Sequence, residues 1–422
     1  MTSPSVPHLS DLISRPGPHG LGITTSVLPT VPLVQAHLGI PADIAGPADL
    51  ADIDVLLACW PDLPACIRFE QHGGSVDVGR RNQWLTLSLT CTSDRLPLLA
   101  DVVAEVLDPL YTPARVAAAA AKAGRQATLV AAQPSADSVR QLWRSLYGHV
   151  PASADPAPSA DEISAVTAER VARAHAHRLR PQEGHLVLVG DLDGEHAHAL
   201  IGTVLADWQP RSPGAPPPRP RILARPAGSL HRPRPSWAHT QIRLAARTAS
   251  RRSHWQFAVD QIAAHILGGS FGSRINTVLR EEEGLAYRTH ASLLDHLDDD
   301  LLLVEADVDS GRSDTAHAHL LRVLDDFAEH GPTDRELRSA VSHVLGKYAL
   351  NLGTQAGRAA CILSYLTVGF PLTAMNSLLG HLPQLTRSDV RTAAAQFRST
   401  QLTGVICGPV RTPADTPLPH AS

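Results

Sequence analysis

The chain repeats itself, and the repeat limits what it can fold into. Thr167 and Val171 lie in a helix-forming run that leads to the apolar segment His185 to Val189 and closes on Gly190-Asp191. Thr386 and Val390 lead in the same way to Gly404 to Cys407 and close on Gly408-Pro409. The offsets are 219 residues for the Thr/Val pair and 218 for the glycine, so two copies of one α/β unit share the chain. Between them, Pro210 to Pro235 holds nine prolines interspersed with arginine and glycine, which suits neither helix nor sheet and reads as a linker. At 422 residues the chain is too long for one ordinary core. The expected organisation is a loose arm over 1–20, an N-terminal domain over 21–209, a linker over 210–236, a C-terminal domain over 237–412 and a tail over 413–422. Two facing copies make a cleft, an ordinary place for a ligand.

Periodicity places the elements. Gly22 to Gly39 alternates β-branched and polar residues and reads as one or two strands. Residues 47–59 read as a helix, Ser75 to Cys91 as two strands around a turn at Arg80 to Asn82, and Leu96 to Leu107 as an apolar helix. Thr112 to Ala132 is dominated by alanine, the best helix former, and no acidic residue occurs between Asp108 and Asp137. Ser138 to Tyr147 is an amphipathic helix, and Ser159 to Arg178 is helical with a start signal at Ser164 and Thr167. Beyond the linker, strands are expected at His239 to Ala246, Ala286 to Leu293, Leu301 to Asp309 and Gly404 to Cys407. Helices are expected at Ser253 to Leu267, Thr315 to His330, across 333–381, and at Ser388 to Phe397.

Several function classes are disfavoured. A formal net charge of −4 gives no global field that would recruit nucleic acid or an anionic membrane. No apolar run reaches the roughly 18 residues of a membrane span, and no secretory signal is visible, so the expected location is the cytoplasm. The five cysteines are scattered through apolar runs and read as reduced and buried. No two of the 22 histidines are four apart, the spacing that puts two zinc ligands on one helix face. The close pairs His175/His177, His196/His198 and His317/His319 point to different faces and read as solvated or capping residues. P-loop and C-x-x-C are both missing. The acidic run Asp295, Asp298, Asp299 and Asp300 lacks the glycine and final glutamate of an EF-hand loop and reads as a solvated hairpin tip.

One stretch carries useful chemistry: Leu267 to Tyr287, LGGSFGSRINTVLREEEGLAY. Gly268, Gly269, Ser270, Phe271 and Gly272 form a glycine-rich entry without the lysine of a phosphate loop; a tight turn that lets backbone approach a ligand or partner fits better. An amphipathic helix comes next, ending in Glu281-Glu282-Glu283, whose charge opposes the helix dipole and is offset by Arg280. Gly284 is suited to the left-handed position that ends a helix, and Tyr287 opens a strand. An arginine fork and a phenol brought to one space can hold peptide carbonyls or an oxyanion. On spacing alone, a structural arginine beside a core tyrosine is the plainer reading.

The stretch 267–287 resembles the C-terminal-half signature of the inverzincin metallopeptidases of the insulinase and pitrilysin type, above all the mitochondrial-processing-peptidase-like branch with its bacterial two-subunit relatives. The likeness extends to residues 184–208, 144–151 and 334–410. It implies an α+β fold in which two homologous α/β domains, each an antiparallel sheet with helices packed on it, form half of a clamshell. It also implies that Arg280 and Tyr287 bind the substrate backbone opposite a zinc ion, and that the glycine-rich loop resembles a shortened substrate-recognition loop. Members that cleave carry H-x-x-E-H in the first helix of the N-terminal half and a further glutamate on a later helix. At those places this chain has Leu50 to Cys59, without histidine or glutamate, and Thr112 to Ala132, without a carboxylate. The resemblance therefore implies no catalytic residue and no metal ligand in this chain alone. The expectation is a non-catalytic subunit of a heterodimeric zinc endopeptidase acting on peptides, precursor or leader peptides among them, with the zinc in a homologous partner. The alternative is a proteolytically inactive structural or peptide-binding subunit, of the kind found among the core subunits of the cytochrome bc1 complex.

Overall fold

Each half of the chain builds one sheet, and the two sheets share a strand order. The structure is a computed structural model and describes residues 9, 12–209, 228–248, 253–296 and 299–409. The first half runs β1 (Leu12–Pro16), β2 (Gly22–Val27), β3 (Leu33–Pro41), α1 (Pro47–Cys59), α2 (Pro64–Gln71), β4 (Ser75–Arg81) and β5 (Trp84–Thr92). It continues through α3 (Leu96–Leu107), α4 (Pro113–Ala131), α5 (Pro134–Tyr147), α6 (Ala160–Ser164), α7 (Ala168–Arg178), β6 (His185–Gly190) and α8 (Gly194–Val204). The second half runs β7 (Gly228–Pro233), β8 (His239–Arg247), α9 (His254–Gly268), α10 (Arg274–Asn276), β9 (Ala286–His296) and β10 (Asp299–Asp309). After these come α11 (Ser313–His330), α12 (Asp334–Leu352), α13 (Gln355–Thr367), α14 (Thr373–His381), α15 (Arg387–Ala394) and β11 (Thr403–Gly408).

The first sheet is ordered β1-β2-β6-β3-β5-β4 and the second β7-β11-β8-β10-β9. With β1 set aside, the two orders match strand for strand, and the fold is α+β with helices on each sheet. The expectation of purely antiparallel sheets needs one amendment. Each contains a parallel pair, β2 with β6 and β7 with β11, because the last strand of each half returns by a long helical crossover. The repeat read from sequence has a physical cause at each position. Thr167 and Thr386 are N-caps, each accepting the backbone N–H three residues on at 3.3 Å, and Val171 and Val390 are fully buried. A Cβ on Gly190 would overlap the Leu33 carbonyl, and one on Gly408 the side chain of Thr240. Only glycine permits either approach.

The compact units are not the two sequence halves. One comprises the described residues of Met1–Ala131, Ala152–Pro218 and Gly346–Asn376; the other those of Ala132–Pro151, Arg219–Leu345 and Ser377–Ser422. The reason is an exchange of helices. α13 lies on β3 and β6, while α5 lies on β8 and β11, the equivalent strands of the other sheet. Polar bonds fix both. Gln355 Nε2 donates to the Leu28 and Val31 carbonyls at 2.8 and 3.0 Å, and Gly39 leaves room for Leu363. Ser138 donates to Gln241 Oε1 at 2.8 Å, and Asp137 pairs with Arg234 at 2.5 Å.

Two segments of uninviting composition are strands. Leu12–Pro16, within the stretch read as a loose arm, pairs antiparallel with β2, and Gly228–Pro233, within the stretch read as linker, pairs parallel with β11. Both lie on sheet edges with proline at the strand end, where a missing N–H is tolerated. Residues 1–8, 10 and 11 of the arm, residues 210–227 of the linker, and the tail lie outside the described residues. The helical stretch expected from Ser159 to Arg178 divides into α6 and α7, capped by Ser159 and Thr167. Cys59, Cys66, Cys91 and Cys407 are buried free thiols and Cys361 is half-buried. Among the described residues no helix is long and apolar enough to cross a membrane.

The exchange makes each sheet depend on a helix from the other half. Residues 228–422 produced alone lack α5 and leave the β8/β11 face uncovered. The expected result is loss of cooperative thermal unfolding in that fragment, regained on co-expression with residues 1–209; calorimetry of the fragment alone and of the pair checks it.

Candidate functional site

The glycine-rich turn is built against β9. A Cβ on Gly268 would sit 2.5 Å from the backbone nitrogen of Ala291, and one on Gly269 would sit 2.7 Å from Cα of His265. The close approach these glycines allow is thus to the chain's own strand and helix. Asn276, 5% exposed, donates to the Phe271 carbonyl at 2.7 Å and accepts from Thr289 Oγ1 at 3.2 Å, tying the turn to β9. The Ser270 carbonyl accepts from Ser273 N at 3.2 Å, Gly272 has open space around it, and Phe271 is 68% exposed.

Arg274 anchors the chain just beyond this turn. Its guanidinium grips Glu336 with two bonds of 2.7 and 2.9 Å, reaches Asp326 and the Gly331 carbonyl at 2.9 Å each, and lies 5.0 Å above the Phe327 ring. Glu336 also caps α12 with Thr333. Burial alone would raise the Glu336 carboxyl, but the bonds from Arg274 and Thr333 outweigh it and hold the group down at about 2.

Arg280 sits on an irregular turn. Instead of the expected amphipathic α-helix, three α-helical residues lead into a π-helix over Thr277–Glu282. Glu283 N donates five residues back to Val278, and Leu285 N donates to the Leu279 carbonyl at 2.7 Å. Gly284, at φ +58°, then reverses the chain. The Arg280 side chain is exposed and its guanidinium lies 5.4 Å above the Phe271 ring. The expected service to the helix end is done by others: Arg312 donates to the Glu283 carbonyl at 3.2 Å, and His319 lies 3.8 Å from the Glu283 carboxylate.

Tyr287 is not a core tyrosine. Arg288 pairs with Asp307 and Ala286 with Val308, so Tyr287 is the extra residue of a β-bulge. A bulge re-aims a side chain that strict alternation would turn inward; here Tyr287 is 59% exposed. Its ring meets His239 of β8, with centroids 4.7 Å apart. A charged layer lies beside it. Arg288 approaches Glu305 at 3.5 Å and Asp307 at 3.8 Å, and the same carboxylates lie 3.3 and 2.8 Å from the fully buried Arg243. Arg243 also donates to Gln241 Oε1 at 2.7 Å. Residue-by-residue reasoning missed His239 and this layer. The signal was present in the polar-apolar alternation of Gln241, Arg243, Glu305 and Asp307 along paired strands.

The two helices that would hold a catalytic zinc in a cleaving relative are α1 and α4, and their side chains do not fit one. Leu50, Ile53, Val55, Leu56 and Cys59 of α1 are buried, and α4, which packs on that helix, buries Val116, Ala119 and Ala127. Burial pushes the Cys59 thiol up to about 12. The carboxylates of α1 are taken by arginines: Asp49 by Arg178 at 2.5 Å, Asp52 by Arg170 at 2.9 Å and Asp54 by Arg80 at 2.8 Å. His175, read as solvated or capping, is held between the Tyr111 hydroxyl and the Leu107 carbonyl at 3.0 Å each.

Two substitutions test the scaffold of the stretch. Gly268→Ala forces α9 off β9 and is expected to cost about 1–3 kcal/mol in urea unfolding. Glu336→Gln is expected to cost about 2 kcal/mol at pH 7. Because the folded carboxyl is depressed to about 2 from 4.5, its stabilisation is complete above pH 4.5 and disappears as pH falls toward 2. The gap between the two proteins should close over that window, as unfolding curves at successive pH values will register.

Residues 165–343 match the model of the peptidase M16 inactive domain. An uncharacterised zinc protease of Mycobacterium leprae is 27% identical over 210 residues, 49% of this chain and 46% of its own length. The non-peptidase homolog YmxG of Helicobacter pylori is 27% identical over 137 residues, 32% of this chain and 31% of its own. Each of these two matches spans less than half of the relative. The crystal structure of a peptidase M16 inactive domain from Pseudomonas fluorescens superposes with a TM-score of 0.85 at 20% identity, covering 96% of this chain and 99% of that one. That likeness shows the fold alone. Over residues 165–343, which include the stretch 267–287, the chain is similar to the inactive domain of the M16, or insulinase-like, peptidases.

Proposed function

We propose that this chain is the non-catalytic, substrate-binding subunit of a heterodimeric zinc metalloendopeptidase that cleaves peptides, precursor or leader peptides among them. A homologous partner subunit supplies the zinc, its ligands and the glutamate base. This chain supplies Arg280 and Tyr287.

One observation carries the reading. The chain turns an arginine and a tyrosine outward on two interruptions of regular backbone, while the helices of its own metal half are packed with apolar side chains and arginine-bound carboxylates. Irregular backbone of this kind is retained where surrounding structure holds it for a purpose. Lying over Phe271, the Arg280 fork has its plane supported and its edge N–H groups left for peptide carbonyls. The Tyr287 hydroxyl, on a ring braced by His239, is a single donor suited to a carbonyl oxygen that gains charge during the reaction. The names of the relatives, an inactive domain and a non-peptidase homolog, support the absence of independent proteolysis.

Tyr287→Phe, purified with its zinc-bearing partner, is expected to lower kcat by about 10²–10³ with little change in KM. Unchanged turnover would remove the role assigned to Tyr287. A pair that binds peptide yet never hydrolyses it in the presence of zinc would favour the inactive peptide-binding or structural subunit instead.

A further inference from the structure

The duplication supplies an internal comparison away from Arg280 and Tyr287. In the first unit, α1 and α7 pack side by side and the groove between them is closed by charge. Arg170, third after the Thr167 cap of α7, sets Nε 2.9 Å from Oδ1 of Asp52 and reaches the Ala48 carbonyl at 3.3 Å. Arg178 closes on Asp49 beside it. In the second unit the equivalent pair is α9 and α15. Counted from the N-caps Gly46 and Ser253, Ala48 corresponds to Trp255, Asp49 to Gln256 and Asp52 to Val259. Counted from Thr167 and Thr386, Arg170 corresponds to Asp389. The arginine that fills the first groove is replaced by a carboxylate, and its acidic partners by neutral residues. A cavity of about 230 Å³ stands there, lined by Trp255, Gln256, Val259, Asp389, Thr392 and Gln396 among others.

The polar lining is one-sided. Gln256 and Gln396 each donate through Nε2 to Oδ1 of the buried Asp260, at 2.9 and 3.0 Å. Both amides thus commit their nitrogen ends to Asp260 and leave their carbonyl oxygens to other donors. The Thr392 hydroxyl spends its proton on the Ser388 carbonyl at 2.9 Å and keeps only lone pairs. Asp389 caps its helix through Oδ2, at 2.9 Å from Thr386 N and 2.6 Å from its hydroxyl, with Oδ1 left over. The half-buried Trp255 ring, held edge-on to His381 at 5.3 Å, adds an aromatic face. No lining residue is cationic. Acceptors around an aromatic ring select a flat cation rich in donors.

We propose that this groove binds a guanidinium group, in the position that the first unit fills with its own Arg170. An arginine side chain of a peptide and a free small guanidine offer the same chemistry, and the test separates them. Isothermal titration calorimetry of the full chain with agmatine, with acetyl-Gly-Arg-Gly-amide and with the neutral citrulline counterpart of that peptide is the experiment. Saturable binding of an arginine compound near or below about 1 mM is expected, at least tenfold tighter than citrulline. Equal binding of agmatine and peptide assigns the site to free guanidines; binding of the peptide alone assigns it to a peptide side chain. Asp389→Arg should place a guanidinium in the groove and abolish binding, with a modest fall in melting temperature from loss of the two cap bonds from Thr386. Asp389→Asn, which keeps the helix cap, should weaken binding about tenfold. No saturation by either arginine compound, equal binding of citrulline, or full affinity in Asp389→Asn would overturn the proposal.

Discussion

Between Thr277 and Arg288 the regular hydrogen-bond ladder is interrupted twice, and the rest of the second unit is arranged to hold those interruptions in place. The π-turn carries Arg280 and the bulge carries Tyr287. Irregular backbone of either kind relaxes unless its surroundings over-determine it. Here Gly268 brings α9 onto β9, Asn276 ties the turn to Thr289, and Arg274 clamps the start of the stretch to α12 through Glu336. Gly284 supplies the reversal that an L side chain would resist. On the far side, the buried Arg243 and the carboxylates of Glu305 and Asp307 fix the strands beside the bulge. Each support is local and strong, and together they set two side chains outward.

The two units share a topology and differ in what they do with it. In the first, the surfaces of α1 are used up by packing against α4 and by ion pairs to Arg80, Arg170 and Arg178. In the second, the corresponding helix α9 ends in a glycine turn that leads to exposed, donor-rich groups. A duplicated fold permits this division, because stability depends on sheet order and apolar faces while chemistry depends on a few exposed positions. The exchange of α5 and α13 means that neither unit is made from one half of the sequence alone. The half of the sequence that carries α1 and α4 therefore also contributes α5 to the unit that presents Arg280 and Tyr287.

Most of the fold was legible because its signals are local. Helix α1 spans Pro47–Cys59, the stretch read as helical, the β4/β5 turn falls at Asn82 with φ 53°, and the Thr/Val/Gly repeat marks caps and close approaches. What was not legible depends on distant partners. No property of Ser138 to Tyr147 reveals that the helix belongs to the second sheet, since an amphipathic face does not name its mate. Edge pairing turns Leu12–Pro16 and Gly228–Pro233 into strands against their composition. At the candidate site, Arg280, Tyr287 and Gly284 could be picked out by type and spacing. The bulge that exposes Tyr287 could not, because a one-residue register shift is set by β10 opposite. The Phe271 ring under Arg280 and the His239 ring beside Tyr287 were likewise hidden by their separation in the chain.

The central claim is that this chain is half of an active site, and mixing tests it most directly. Hydrolysis of a peptide library would be measured for the chain alone, for an H-x-x-E-H partner alone and for the two together, each with zinc and then with chelator. The account predicts zinc-dependent cleavage by the mixture and none by this chain. Chelator-sensitive cleavage by this chain alone would contradict it.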